Sequence, residues 1–404
     1  MSDSSPETSG DPGDDMEAHL VALAALSEVG PVRLRMLLSC GTPTEVWQRL
    51  GRGSIRPAGG DRHLSPEMLA RWRQQVQTLD PAEMWHRCQA LGVGVDWLGS
   101  PTYPARLADD IDPPVVLFHQ GRTDALDQPL VAIVGTRRAT SYGRRVAEEL
   151  GESLTLTGVG VVSGLALGID GAAHRGAVGS WGGDTAPPVA VVGAGLDVPC
   201  PARNRDVAER VAAQGLVLSE VPVGVAAAPW RFPVRNRIIA ALADVVIVVE
   251  SAGAGGSMHT VREALDRDRT VMAVPGPIDS RASEGTNQLI SEGASVCTGP
   301  ADVLVALGLT APAGPTDPDE RAGNSPVPGA FDGSRPEPDG AAGQILLELD
   351  WRAATLDELA SRTGLGLDDL VRGVGELERD RWVRRNGPLI ERDQRRGGPP
   401  RHDL

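Results

Sequence analysis

Phe232-Pro233-Val234-Arg235-Asn236-Arg237-Ile238-Ile239, followed by Asp244-Val245-Val246-Ile247-Val248-Val249-Glu250, reads as a helix opening and then a buried strand. Pro233 suits a helix start, because its missing N–H would lack a helical partner there in any case. The spacing then puts Arg235 and Arg237 in the first turn, at the positive end of the helix dipole. A cation is disfavoured there by roughly 0.3–1 kcal/mol. Such a conflict is expected where an anion occupies the helix N-terminus. The alternative is that both arginines turn away to surface carboxylates. The continuous Val/Ile run after the helix belongs in a parallel sheet covered on both faces.

The same alternation extends from about Pro81 to Leu309. Strands are expected at Leu130–Val134, Gly160–Ser163, Val189–Val192, Leu216–Ser219, Val245–Val249 and Thr270–Val274. Two more are expected at Val93–Leu98 and Val115–His119. Helices are expected to begin near Tyr142, Gly168, Asn204, Arg235, Ser257 and Thr286. The fold class is therefore α/β, an extended Rossmann-like, doubly wound and mostly parallel sheet. Ligands of such sheets bind at the carboxyl ends of the strands, where strand order reverses.

The flanks differ in character. Residues 1–15 are polar and acidic and are expected to be disordered. Residues 16–80 read as a small helical domain: Leu20, Leu23, Leu26 and Val29 keep a helical spacing up to Gly30-Pro31, and a second helix runs to Leu38. This pair resembles a helix-hairpin-helix, or equally a bundle that only packs. Residues 310–342 are Pro/Gly/Asp-rich, as in a disordered linker. Residues 343–394 then read as three short helices and a hairpin turning at Asn386-Gly387, a winged-helix-like domain ahead of a tail at 395–404.

Composition narrows the function. The chain has 404 residues, 41% of them hydrophobic, enough for two or three domains. A formal net charge of −15 excludes coating of nucleic acid through overall positive charge, so any polyanion site must be local. All 39 basic residues are arginine, which takes the weight off a choice of Arg over Lys at any one site. Cys40, Cys88, Cys200 and Cys297 lack the paired spacing of a zinc site or disulfide framework. No signal peptide and no membrane span is read, and a cytoplasmic protein is expected.

Each core strand leads into a glycine-containing loop. Gly135-Thr136-Arg137-Arg138 lacks both the GxGxxG fingerprint and Walker A spacing, which argues against a nicotinamide enzyme and leaves a candidate phosphate cradle. Ser163-Gly164-Leu165-Ala166-Leu167-Gly168-Ile169-Asp170 leads to His174, one turn beyond Asp170. The pair could act as acid and base, or be a helix-capping Asp with a packed His. Gly193-Ala194-Gly195-Leu196-Asp197 precedes Arg203-Asn204, and Gly255-Gly256-Ser257 opens another helix.

Together these loops resemble the DNA-processing protein A family over roughly residues 16–394. The resemblance rests on the Gly-Thr-Arg loop with Tyr142-Gly143 and on Ser163-Gly164-x-Ala166-x-Gly168-Ile169-Asp170. It also rests on Phe232-Pro233-x-Arg235-Asn236-Arg237-Ile238-Ile239, and on Ala273-Val274-Pro275-Gly276 followed by Gly285-Thr286-Asn287-Gln288-Leu289-Ile290. Cys200 stands where the family usually has an aromatic residue, and Met258-His259 is bulkier than expected. The resemblance implies a non-enzymatic protein that binds and protects incoming single-stranded DNA. It implies loading of a RecA-type recombinase in transformation or recombination, a homodimer, and no cofactor or metal. The DNA-binding residues it implies are Gly135, Arg137, Arg203, Arg235, Asn236, Arg237 and Ser257. An enzyme alternative is a nucleotide phosphoribohydrolase, because Gly255-Gly256-Ser257-x-x-Thr260-x-x-Glu263 approximates the glutamate-bearing loop of those enzymes with a shifted spacing.

Overall fold

The computed structural model describes residues 12–55, 64–180, 182, 185–198, 201–253, 255–309, 338–349, 354–380, 382–387 and 389–392. The chain divides into two compact units, Met1–Gly314 and Pro315–Leu404.

The first unit opens with five helices: α1 (Pro12–Ala25), α2 (Pro31–Leu38), α3 (Pro43–Arg52), α4 (Pro66–Val76) and α5 (Pro81–Ala90). The last four each begin with proline at the first turn, and Thr42, Ser65 and Asp80 cap α3, α4 and α5 through their side-chain oxygens. Leu20, Leu23, Leu37, Trp47 and Trp72 form a shared core with Cys88 of α5. The helical group therefore extends past residue 80. Its first helix also starts four residues before Met16, inside the stretch expected to be disordered. Asp15 pairs with His19 at 3.3 Å and accepts from Thr44 at 3.1 Å, which ties this start to α3. Residues 1–11 lie outside the described ones.

Nine strands form one sheet among the described residues: β1 (Gly94–Trp97), β2 (Val116–Gly121), β3 (Leu130–Val134), β4 (Gly160–Ser163), β5 (Val189–Val192), β6 (Leu216–Ser219), β7 (Val245–Val248), β8 (Thr270–Ala273) and β9 (Ser295–Val296). Their order is β1-β2-β6-β5-β4-β3-β7-β8-β9. The pairs β1–β2 and β2–β6 are antiparallel, and the remainder are parallel. The α/β, mostly parallel, Rossmann-like fold read from the sequence is the fold observed. Every residue of β3 to β7 is buried, as their unbroken apolar runs require.

The accompanying helices are α6 (Ala105–Ala108), α7 (Ser141–Leu156), α8 (Ile169–Gly179), α9 (Arg205–Gln214), α10 (Arg231–Leu242), α11 (Ser257–Leu265), α12 (Glu284–Ser291) and α13 (Pro300–Ala306). From β3 the chain steps outward through β4 and β5 to β6, then returns to lay β7 on the other side of β3. Strand order thus reverses between β3 and β7, where such sheets take their ligands.

The second unit holds α14 (Gly340–Leu349), β10 (Ala354–Thr355), α15 (Leu356–Thr363), α16 (Leu367–Arg379), β11 (Val383–Asn386) and β12 (Leu389–Arg392). Its sheet order is β10-β12-β11, and Gly387 takes φ +62° in the hairpin turn. Helix α14 begins at Gly340, within the stretch read as linker; residues 310–337 and the tail lie outside the described ones.

Candidate nucleic-acid interface

The reversal point is built by the loops after β3 and β7. Glu250 follows β7 and is 2% exposed, yet its carboxylate is fully used. One oxygen accepts from the Thr140 backbone N–H at 2.9 Å and the other from the Thr140 hydroxyl. Thr140 in turn caps α7 by accepting from Gly143 N–H at 3.1 Å. A protein carboxylate therefore sits at the amino end of α7, and the loop between β3 and α7 is held as a fixed ledge. The Thr136 N–H reinforces it by donating to the Glu250 carbonyl at 2.8 Å.

Arg137 and Arg138 project from this ledge and are exposed. The Arg137 guanidinium lies 4.6 Å over the ring of Phe232 at the start of α10. Gly168, with φ +81°, lies where an added Cβ would overlap the Thr136 carbonyl, so the loop that precedes α8 can close against the Arg137 ledge. Gly135 likewise packs against Ile169 and the Glu250 carbonyl.

Beneath this surface is a buried ionic layer. Arg235 is 6% exposed, donates to the Val191 carbonyl and fills the space that Gly164 leaves open. Asp170 accepts from the Gly164 and Ala166 backbone, and burial raises its pKa against the lowering pull of Arg235. His174 donates through Nε2 to the Val189 carbonyl at 3.1 Å, and burial pushes its pKa down to about 4, so it is neutral at pH 7. These geometries describe bracing groups under the loops, not an exposed acid–base pair.

The sequence-derived arginines thus separate. Helix α10 starts at Arg231, two residues before Pro233, with Trp230 in the N-cap position. Arg235 consequently falls in the second turn and Arg237 further on. Arg237 is 5% exposed and binds Glu220 at 2.5 Å and Asp112 at 3.2 Å. Asp112 also pairs with Arg35 of α2 at 2.9 Å, so this network fastens the helical group to the sheet. Asn236 is half-buried, and Ser257 is buried with its hydroxyl 2.8 Å from that of Ser251. Arg203 is exposed on the short turn Ala202–Asn204. Cys200, noted for replacing an aromatic residue, lies outside the described residues.

Two residues that sequence reasoning passed over complete the site. Asn204 is 3% exposed and donates through Nδ2 to the carbonyls of Leu165 and Ala166 at 3.0 and 2.9 Å, pinning the Gly164–Gly168 loop to the Arg203 turn. Glu250 is the other; an acid closing a buried strand was the available signal. Glu263 of α11, the glutamate of the enzyme alternative, is 2.6 Å from Arg267. Among the described residues there is no group of three or more potential metal ligands, and no helix is long and apolar enough to cross a membrane.

Fold and site define a Rossmann-like α/β protein with an arginine-bearing ledge at the reversal point of its sheet. The family described as DNA recombination-mediator protein A matches over residues 95–308, and the chain belongs to that family. Protein Smf of Escherichia coli strain K12 is 36% identical over 284 residues, covering 70% of this chain and 72% of that protein. The X-ray structure of DNA processing protein A from Streptococcus pneumoniae is similar with a TM-score of 0.59 and 31% identity, over 71% of this chain and 97% of that one. A structure of DNA processing protein A from Helicobacter pylori, described as giving insight into its single-stranded DNA binding mode, is 31% identical over 53% of this chain and 95% of that one, with a TM-score of 0.47. The family match and the likeness to the Streptococcus pneumoniae protein place the chain in DNA processing.

Proposed function

We propose that this chain is a non-enzymatic single-stranded DNA-binding protein that holds the strand by its phosphates and helps load a RecA-type recombinase, acting as a homodimer. The observation that carries the reading is the exposed Arg137 guanidinium stacked on Phe232 beside the sheet's reversal point. Arg138, Arg144 and Arg203 are also exposed, giving a local positive surface on a chain of net charge −15. Aromatic rings stand among these cations: Tyr142 is 39% and Trp230 46% exposed. Rings beside arginines suit unstacked bases, which only a single strand presents. The pairing of Glu263 with Arg267 supports binding over glycosidic cleavage, since the enzyme alternative needs that carboxylate for chemistry.

In the second unit, α16 exposes Asp368, Asp369 and Glu376. In a winged helix this third helix is the groove reader, and its carboxylates would repel phosphates. A protein-contact role fits it better. Titration with single- and double-stranded oligonucleotides at several salt concentrations tests the main reading. Tighter binding of the single strand, weakening with salt, is expected; equal or absent binding would refute it. Incubation with nucleoside monophosphates should release no base.

A further inference from the structure

After β8 the chain forms the loop Pro275-Gly276-Pro277-Ile278-Asp279-Ser280 at the carboxyl edge of the sheet. Its tip, Ile278, is 98% exposed. The loop is nevertheless firmly held. Asn287 of α12 clamps Gly276 from both sides, accepting from its N–H at 3.2 Å and donating to its carbonyl at 3.0 Å. The Ser280 N–H donates to the Pro277 carbonyl at 3.1 Å, which closes a turn with Ile278 at its first central position. Two more bonds join this loop to the parts that carry Arg137. The Tyr142 hydroxyl, in the first turn of α7, donates to the Pro275 carbonyl at 3.2 Å. The N–H of Ser251, next to Glu250, donates to the Ala282 carbonyl at 2.8 Å.

A lone exposed apolar side chain is ordinary on a soluble protein. Here Pro275, Pro277 and Ile278 are exposed together beside the 39% exposed Tyr142, on a frame that fixes their position. Arg137 and Arg138 are exposed on the loop after β3, and Arg144 on α7, at the same edge of the sheet. Cations there attract phosphates, and a rigid neutral tip beside them is left to meet bases. Isoleucine is among the side chains that wedge between base steps. We propose that Ile278 inserts between two neighbouring bases of the bound strand and parts them. The proposal rests on the single-strand reading above. It adds a contact to bases where that reading needs only phosphates. A wedge reads no base edge, so it serves every sequence, and parting bases costs least in a strand that is already single.

The test uses the full chain and a short strand alternating adenine with 2-aminopurine, whose fluorescence is quenched by stacking. Any register then sets a reporter beside the wedge. Binding of the unaltered protein should raise the fluorescence. Ile278→Ser, at a site where the side chain supports nothing in the fold, should lose most of that rise. It should also bind this strand roughly 3- to 10-fold more weakly, as expected for part of an isoleucine side chain returned to water. The salt slope should stay as it was, because no charge is lost. On an abasic deoxyribose-phosphate strand Ile278→Ser and the unaltered protein should bind alike, and Ile278→Phe should keep the fluorescence rise. No rise with the unaltered protein, or an undiminished rise and affinity in Ile278→Ser, overturns the wedge while the phosphate reading stands. An equal loss on the abasic strand overturns it too. No binding of either strand by the unaltered protein overturns both.

Discussion

The Arg137 guanidinium lies 4.6 Å over the face of Phe232, so this exposed cation is held by a ring instead of a carboxylate. An acid would neutralise the charge that phosphates need; the ring orients it and leaves it available. At exposed sites such a stack contributes about 0.5–1 kcal/mol. Phe232→Leu should therefore weaken single-strand binding about 2- to 5-fold while the salt dependence stays as it was. Fluorescence anisotropy at three or more salt concentrations checks this.

Gly168→Ala attacks the same ledge from behind. Its φ of +81° is strained for any side chain, and the new methyl would overlap the Thr136 carbonyl. A cost of about 1–3 kcal/mol is expected in urea unfolding, with weaker DNA binding because Arg137 is displaced. Full stability and full affinity together would show that the loops are not packed as described.

Arg235→Ala and Arg137→Ala should part company in stability. Arg235 is buried beside Asp170, and removing it takes away the larger cationic pull on that carboxyl and the side-chain donor to the Val191 carbonyl. Losing a buried charge partner costs about 3–5 kcal/mol. Arg137 is exposed, and its loss should cost no more than its stack on Phe232, about 0.5–1 kcal/mol. Urea denaturation of the two variants decides the matter; a stable Arg235→Ala protein would return that residue to the candidate DNA contacts.

Much of this could be read from the chain alone, for identifiable reasons. The strands β3 to β7 are unbroken Val/Ile/Leu/Ala-rich runs, and a run buried on both faces has few other interpretations. Arg137 was legible because a short Gly-Thr-Arg loop after such a strand has little room to turn its charge inward. Arg235 and Arg237 were not, because their exposure depends on where α10 begins. Pro233 marks a helix start, but the helix begins two residues earlier at Arg231, and that small shift takes both arginines out of the first turn. Arg237's partners, Glu220 and Asp112, are 17 and 125 positions away in sequence, beyond the reach of local pattern. The two-residue strand β10 was likewise invisible, since Ala354-Thr355 has no periodicity to read.

Glu220 gives the fold a pH dependence of predictable sign. Burial lifts its pKa from the ordinary 4.5 to about 7, despite the pull of Arg237. As pH rises through this window the unfolded chain releases a proton that the folded chain retains. Stability from this group is therefore full below pH 4.5 and is lost progressively up to about pH 7, by an amount on the order of 3 kcal/mol. Glu220→Gln should flatten that stretch of the stability–pH curve, read by urea unfolding at pH 5, 6, 7 and 8. A curve of unchanged slope in the variant would assign the effect elsewhere.

The central claim is that Arg137 neutralises a phosphate of the bound strand. For single strands each such contact contributes about −0.7 to the slope of log affinity against log salt. The decisive measurement is that slope for the unaltered chain and for Arg137→Ala, on mixed-sequence and homopolymer strands. The account predicts weaker binding on every sequence and a slope shallower by about 0.7. Unchanged affinity and slope in a folded Arg137→Ala protein would contradict it.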